Sequence, residues 1–142
     1  MKTFKQLQNL LKESEYRGMH AAPQNDGYHK PMHDAEEIMP DVYSSKGLRL
    51  YGGYKTYDRE GWEIIKSVQG QPNKIVEVFR AVPKDVKNAK ITKGDWVTQT
   101  RGYAKDHGEG SLKGNYKIIK KRVKAGHLWT EGLLHEWGYD PS

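Results

Sequence analysis

The chain has 142 residues, a net charge of +6, 35% hydrophobic and 11% aromatic residues, and no cysteine. That length suits one domain, and the aromatic content is too high for a disordered composition. Disulfides and thiolate-ligated zinc are excluded, and no apolar run is long enough to cross a bilayer. The opening residues Met1-Lys-Thr-Phe-Lys-Gln lack the apolar stretch of a secretory signal, so a cytoplasmic location is expected.

A first helix is predicted from Phe4 to Glu13. Thr3 and Gln6 fit a capping box, and Phe4, Leu7, Leu10 and Leu11 form one apolar stripe. From Tyr16 to Tyr57 the pattern is irregular, with Pro23, Pro31, Pro40 and several glycines. So long a stretch implies a lid or a substrate-recognition surface. It holds His20, His29 and His33-Asp34, but Pro31 breaks the helix that would put His29 and His33 on one face. No metal site is therefore expected.

A helix should begin after Asp58 and stop near Gly70, burying Trp62, Ile65 and Val68. Strands are predicted at Ile75–Val82, closed by Pro83, and at Asp95–Thr100. A short helix with Thr100 as N-cap and Gly108 as its stop follows, and then strands at Tyr116–Val123 and Leu133–Tyr139. Helices early and strands late give an α+β fold. The chain reads as one domain, 1–142, with a helical and irregular part over 1–74 and a β-rich core over 75–141.

Charge is unevenly spread. Asp26, Asp34, Glu36, Glu37 and Asp41 face only Lys30. Lys113, Lys117, Lys120, Lys121, Arg122 and Lys124 stand without an acid between Ser111 and Gly126. The basic strip favours anionic partners, nucleic acid among them. It also serves as a solvated edge strand whose lysines discourage aggregation.

Four residues on three predicted strands stand out from their neighbours. Arg80 shares a face with Val76, Val78 and Val82, and a guanidinium there must be paired or bind an anion. Its partner would be Glu136, Asp95 or a ligand phosphate. Thr98 and Thr100 share a face with Trp96, which fits ordinary β-propensity or two hydroxyls placed for a sugar. Glu136 lies between His135 and Trp137, on a face with Leu134 and Gly138. Tyr103 and His107 fall one helical turn apart.

In order, Val78-Phe79-Arg80-Ala81, Gly94-Asp95-Trp96-Val97-Thr98-Gln99-Thr100, Tyr103-Ala104-Lys105-Asp106-His107-Gly108 and Leu134-His135-Glu136 resemble the Arg–Ser–Glu branch of the ADP-ribosyltransferase superfamily. The whole chain is similar to compact transferase-like domains encoded by bacteriophages, in which a segment such as His20-Ala-Ala-Pro23 precedes the core. The resemblance implies a split β-sandwich with N-terminal helices that binds NAD in a cleft and moves ADP-ribose to a macromolecule, protein or nucleic acid. It further implies that Arg80 contacts the phosphates or the nicotinamide ribose and that Thr98 and Thr100 support the ribose. Tyr103 or Trp96 would stack on nicotinamide, and Glu136 would be the catalytic carboxylate at the ribose hydroxyl.

Threonines stand where the family often has serines. Leu134 replaces the second glutamate of arginine-modifying members, so arginine is not the expected acceptor. A His–Tyr–Glu branch offers His20 with Tyr103 and Glu136 instead; Arg80 fits its spacing better, and His20 is left to line the cleft. The competing functions are a basic, non-catalytic module binding nucleic acid or protein, and an NAD glycohydrolase.

Overall fold

The computed structural model describes residues 21–142. The helix expected at Phe4–Glu13 and His20 lie outside the described residues. The chain is an α+β protein with three α-helices and two antiparallel sheets among those residues.

The elements run β1 (Lys30–Pro31), a 3-10 turn (Met32–Asp34), α1 (Gly47–Tyr51), α2 (Asp58–Ser67), β2 (Ile75–Pro83), β3 (Trp96–Val97) and α3 (Arg101–Ser111). They continue with β4 (Tyr116–Lys124), a second 3-10 turn (Ala125–His127), β5 (Leu128–Thr130) and β6 (Trp137–Tyr139). One sheet has the order β1-β5-β6-β3; the other is the β2-β4 ribbon. A backbone bridge joins them. Phe79 N donates to Thr98 O at 2.7 Å and Thr98 N returns to Phe79 O at 2.9 Å.

Helix α2 forms where its apolar spacing demands. Trp62, Ile65 and the following Val68 are buried, and the Trp62 indole donates to the Val42 carbonyl at 2.8 Å. Before it, Asp58 Oδ2 accepts from Tyr54 N and Lys55 N, both at 2.9 Å, tightening the turn that starts the helix. Gly70, at φ +70, carries the chain out of it. The core joins these residues to Val76 and Val78 of β2, Val97, Leu128, Trp137 and Tyr139. Each such side chain contributes roughly 1.5–3 kcal/mol by leaving water.

Several expectations need correction. Residues 32–42 are not a lid. Met32, Ala35, Met39 and Val42 are fully buried, and Tyr43 pins the segment by donating to Met32 O at 2.6 Å and accepting from Ala35 N at 2.8 Å. Burial pushes the Tyr43 hydroxyl up to about 12. The strand expected at Asp95–Thr100 is only Trp96–Val97 plus the Thr98 bridge, because Thr100 turns to cap α3. The one expected at Leu133–Tyr139 begins at Trp137, since the Leu134 carbonyl is taken by side chains, Gln99 Nε2 at 2.8 Å and Trp137 Nε1 at 3.0 Å. Gly108 does not stop α3, which runs to Ser111. A Cβ on Gly108 would lie 2.5 Å from the Tyr116 ring, so glycine lets the helix lie on β4.

Candidate active site

A cleft of about 200 Å³ opens where the two sheets meet under α3. Strand β2 contributes Arg80, β3 and its bridge contribute Trp96 and Thr98, α3 contributes Tyr103 and His107, and the turn before β6 contributes His135 and Glu136. Arg80, Trp96, Thr98, Tyr103 and Glu136, picked out separately in the sequence, thus line one cavity. Thr100 does not. It is fully buried, and its hydroxyl accepts from Tyr103 N at 3.3 Å, so it orients Tyr103 from behind.

Arg80 is only 6% exposed. Its Nη1 donates to the Trp96 carbonyl at 2.8 Å, which ties the guanidinium across β3 at the cleft wall. Thr98 Oγ1 is held in the backbone turn, accepting from Thr100 N at 3.4 Å and donating to Gln99 Oε1 at 3.4 Å. Buried Gln99 in turn donates to Gly61 O at 3.2 Å and Leu134 O at 2.8 Å, joining α2 to the segment that carries Glu136.

Half-buried Glu136 accepts from the Tyr103 hydroxyl at 2.6 Å through Oε1. Burial, reinforced by the adjacent carboxylate, raises the Tyr103 hydroxyl above its ordinary 10.0, so Tyr103 stays a donor. Its ring stacks on His135, with centroids 5.0 Å apart and planes at 22°. The His135 Nε2 meets Asp58 Oδ1 at 2.7 Å. Both members of that pair are buried to within 7% exposure. Burial holds His135 below its ordinary 6.5 against the pull of Asp58. Asp58 is held below 3.8: burial would raise it, but donors from Lys55, His135 and Tyr54 outweigh that. Neutral His135 therefore gives its Nε2 hydrogen to an ionised Asp58. Its Nδ1 is buried with no hydrogen-bond partner among the described residues, which a lone pair tolerates better than an N–H.

Tyr57 closes the back of the site. Its ring meets His135 edge-on at 5.1 Å and Tyr103 at 6.0 Å, and its hydroxyl donates to Asp106 Oδ2 at 2.6 Å. His107 is held below 6.5 by burial, with Glu136 raising it and Arg80 lowering it further. It is a neutral imidazole at neutral pH, between the fields of both charged groups.

The support behind Glu136 was not legible in the sequence. Asp58 reads there only as a helix start, and His135 only as a neighbour of Glu136. His29, considered for metal binding, instead sets its Nδ1 against Asp26 Oδ2 at 2.7 Å. Among the described residues no group of three or more histidines, aspartates and glutamates could hold a metal ion. No helix there is long and apolar enough to cross a membrane. Comparison with protein-family profiles, with curated proteins and with solved structures gives no match.

Proposed function

We propose that the chain is an NAD-consuming mono-ADP-ribosyltransferase. The supporting observation is that Arg80 and Glu136, 6% exposed and half-buried respectively, line one cleft with Trp96, Thr98 and Tyr103 between them. Two antiparallel sheets joined at the Phe79–Thr98 bridge are compatible with the split sandwich that the resemblance implies.

The chemistry asks for such a set. Breaking the bond between ribose C1′ and nicotinamide sends the bonding pair to the departing ring and leaves positive charge on the ribose. A carboxylate fixed beside C1′ before the reaction stabilises that charge more than it stabilises intact NAD. Tyr103 fixes Glu136 Oε1, leaving Oε2 for a ribose hydroxyl. Trp96 and Tyr103 supply aromatic surface for nicotinamide, and Arg80 supplies the fork for a phosphate or ribose oxygen. The nucleophile of the target then bonds to C1′ and loses its proton; neutral His107 is in the cleft to receive it. A cleft of about 200 Å³ takes a ring and part of a sugar, so the adenosine half of NAD would lie along the open rim.

Capture by water would make the same residues an NAD glycohydrolase. The discriminating experiment is incubation with NAD, alone and with cell lysate, following free nicotinamide and transferred ADP-ribose. Release with label on a macromolecule supports the transferase, and release without label supports the hydrolase. Neither, with lysate present, overturns both.

A further inference from the structure

We propose that the outward face of the β2–β4 ribbon binds the phosphate backbone of a single-stranded nucleic acid, and that this strand is the macromolecule modified at the cleft. The second clause rests on the transferase reading; the first does not.

β2 and β4 pair in register from Ile75↔Lys124 to Pro83↔Tyr116, and alternate residues fall on opposite faces. The face carrying Val76, Val78, Ile119 and Val123 turns to the core. There the cations have partners. Lys117 Nζ donates to the Val86 carbonyl. Lys121 Nζ donates to Ile91 O at 3.4 Å and lies over the Tyr139 ring, 5.3 Å from its centroid.

The opposite face is different. Lys120, Arg122 and Lys124 stand exposed in a row opposite Phe79, Glu77 and Ile75. Lys120 is 3.9 Å from Glu77, both about half exposed, a pairing that contributes little in water. Among the described residues Arg122 and Lys124 have no ion pair. The row continues onto α3, where exposed Arg101 lies over the Phe79 ring at 5.3 Å and exposed Lys105 follows one turn later. Phe79 also lines the cleft, so the basic face adjoins the proposed site of transfer.

Cations on alternate strand residues lie about 7 Å apart in a line. A line suits an extended polyanion, whereas a small anion needs groups that converge. An acidic peptide adding to the β4 edge is disfavoured, because lysines along an edge act against strand addition. Successive phosphates of a nucleic-acid strand use the charge without using the edge.

The test is fluorescence anisotropy with labelled single-stranded RNA and DNA over a range of salt, with the full chain and no NAD, followed by labelled NAD. The affinity should fall steeply with salt. Lys120→Ala, Arg122→Ala and Lys124→Ala together should weaken binding on the order of tenfold at low salt. They should also flatten the log–log salt slope by about 2, at about 0.7 for each phosphate no longer neutralised. The charge-conserving Lys120→Arg, Lys124→Arg variant separates loss of charge from loss of fold, and should bind where the triple variant does not. No binding by the wild-type chain, an unchanged slope in the triple variant, or competition by polyglutamate as strong as by RNA would each overturn the surface. Binding without nicotinamide release overturns the transferase reading and leaves the surface standing. Nicotinamide release with a bound but unlabelled strand overturns the strand as substrate.

Discussion

Tyr103 donates its phenolic hydrogen to Glu136 Oε1 across 2.6 Å, and beneath its ring His135 stacks at 5.0 Å. Since His135 is itself fixed to Asp58, 77 residues away in sequence, the orientation of the carboxylate depends on the start of α2. Tyr103→Phe keeps the stack and removes the donor. A hydrogen bond to a charged group is worth roughly 1.5–3 kcal/mol, so kcat for nicotinamide release should drop about 10- to 100-fold. Circular dichroism should show the fold retained, with the thermal midpoint lowered by several degrees.

Asp58→Ala leaves His135 Nε2 buried with no acceptor and frees the Tyr54 and Lys55 amides. Because His135 is neutral, no buried charge is stranded, and leaving a buried donor without its acceptor costs roughly 1–3 kcal/mol. Urea denaturation should show a loss of that size, and Asp58→Asn, which retains an acceptor oxygen, should lose less. Equal stability of all three proteins would mean that the pair does not anchor the turn.

Gly61 lies in the middle of α2, where alanine would ordinarily stabilise the helix by roughly 0.5–1 kcal/mol. Here a Cβ would sit 2.5 Å from His135 Cε1 and 2.9 Å from its Nδ1. The ring is held by Asp58 on one side and Tyr103 on the other, so it cannot give way cheaply. Overpacking of this kind costs roughly 1–3 kcal/mol, so Gly61→Ala should be destabilising on balance in a chemical melt. It should also lower kcat by displacing Tyr103 from Glu136.

Stability should depend on pH in two steps. His33, His107 and His135 are all held below 6.5, chiefly by burial. Below about pH 6.5 the unfolded chain therefore binds more protons than the folded one. Stability is fully present above that pH and falls as the pH drops through it, by up to about 1.4 kcal/mol per pH unit for His135 alone. Asp58 and Asp140 are held below 3.8 despite burial, by donors that include His135 and Ser142 respectively. Their contribution is present above about pH 4 and is lost below it. Denaturation midpoints measured from pH 8 to pH 3 should decline first in the histidine range, and His135→Gln should blunt that first decline.

Much of the architecture was legible in local pattern. Trp62, Ile65 and Val68 announce α2 by helical spacing, and the alternation from Ile75 and from Tyr116 announces the β2–β4 ribbon. The cleft residues announced themselves by being out of place, as with Arg80 among valines. The pieces that were missed have no period to read. β1 is two residues, Lys30–Pro31, and β5 is three, Leu128–Thr130, each existing only because a distant strand pairs with it. In the sequence Thr100 fits both a helix cap and a ligand position; its single hydroxyl accepts from Tyr103 N. Asp58 and His135 meet only through the tertiary fold, and no sequence spacing joins them.

Glu136→Gln is the most direct measurement, because it keeps the side chain's shape and its ability to accept from Tyr103 while removing the charge. The wild-type chain and the variant would be compared for nicotinamide release from NAD, with circular dichroism and a urea melt run alongside. The account predicts release by the wild-type chain and loss of at least about 100-fold in the variant, the order seen when an electrostatic stabiliser is removed, at matched stability. Release by the variant at the wild-type rate would contradict it.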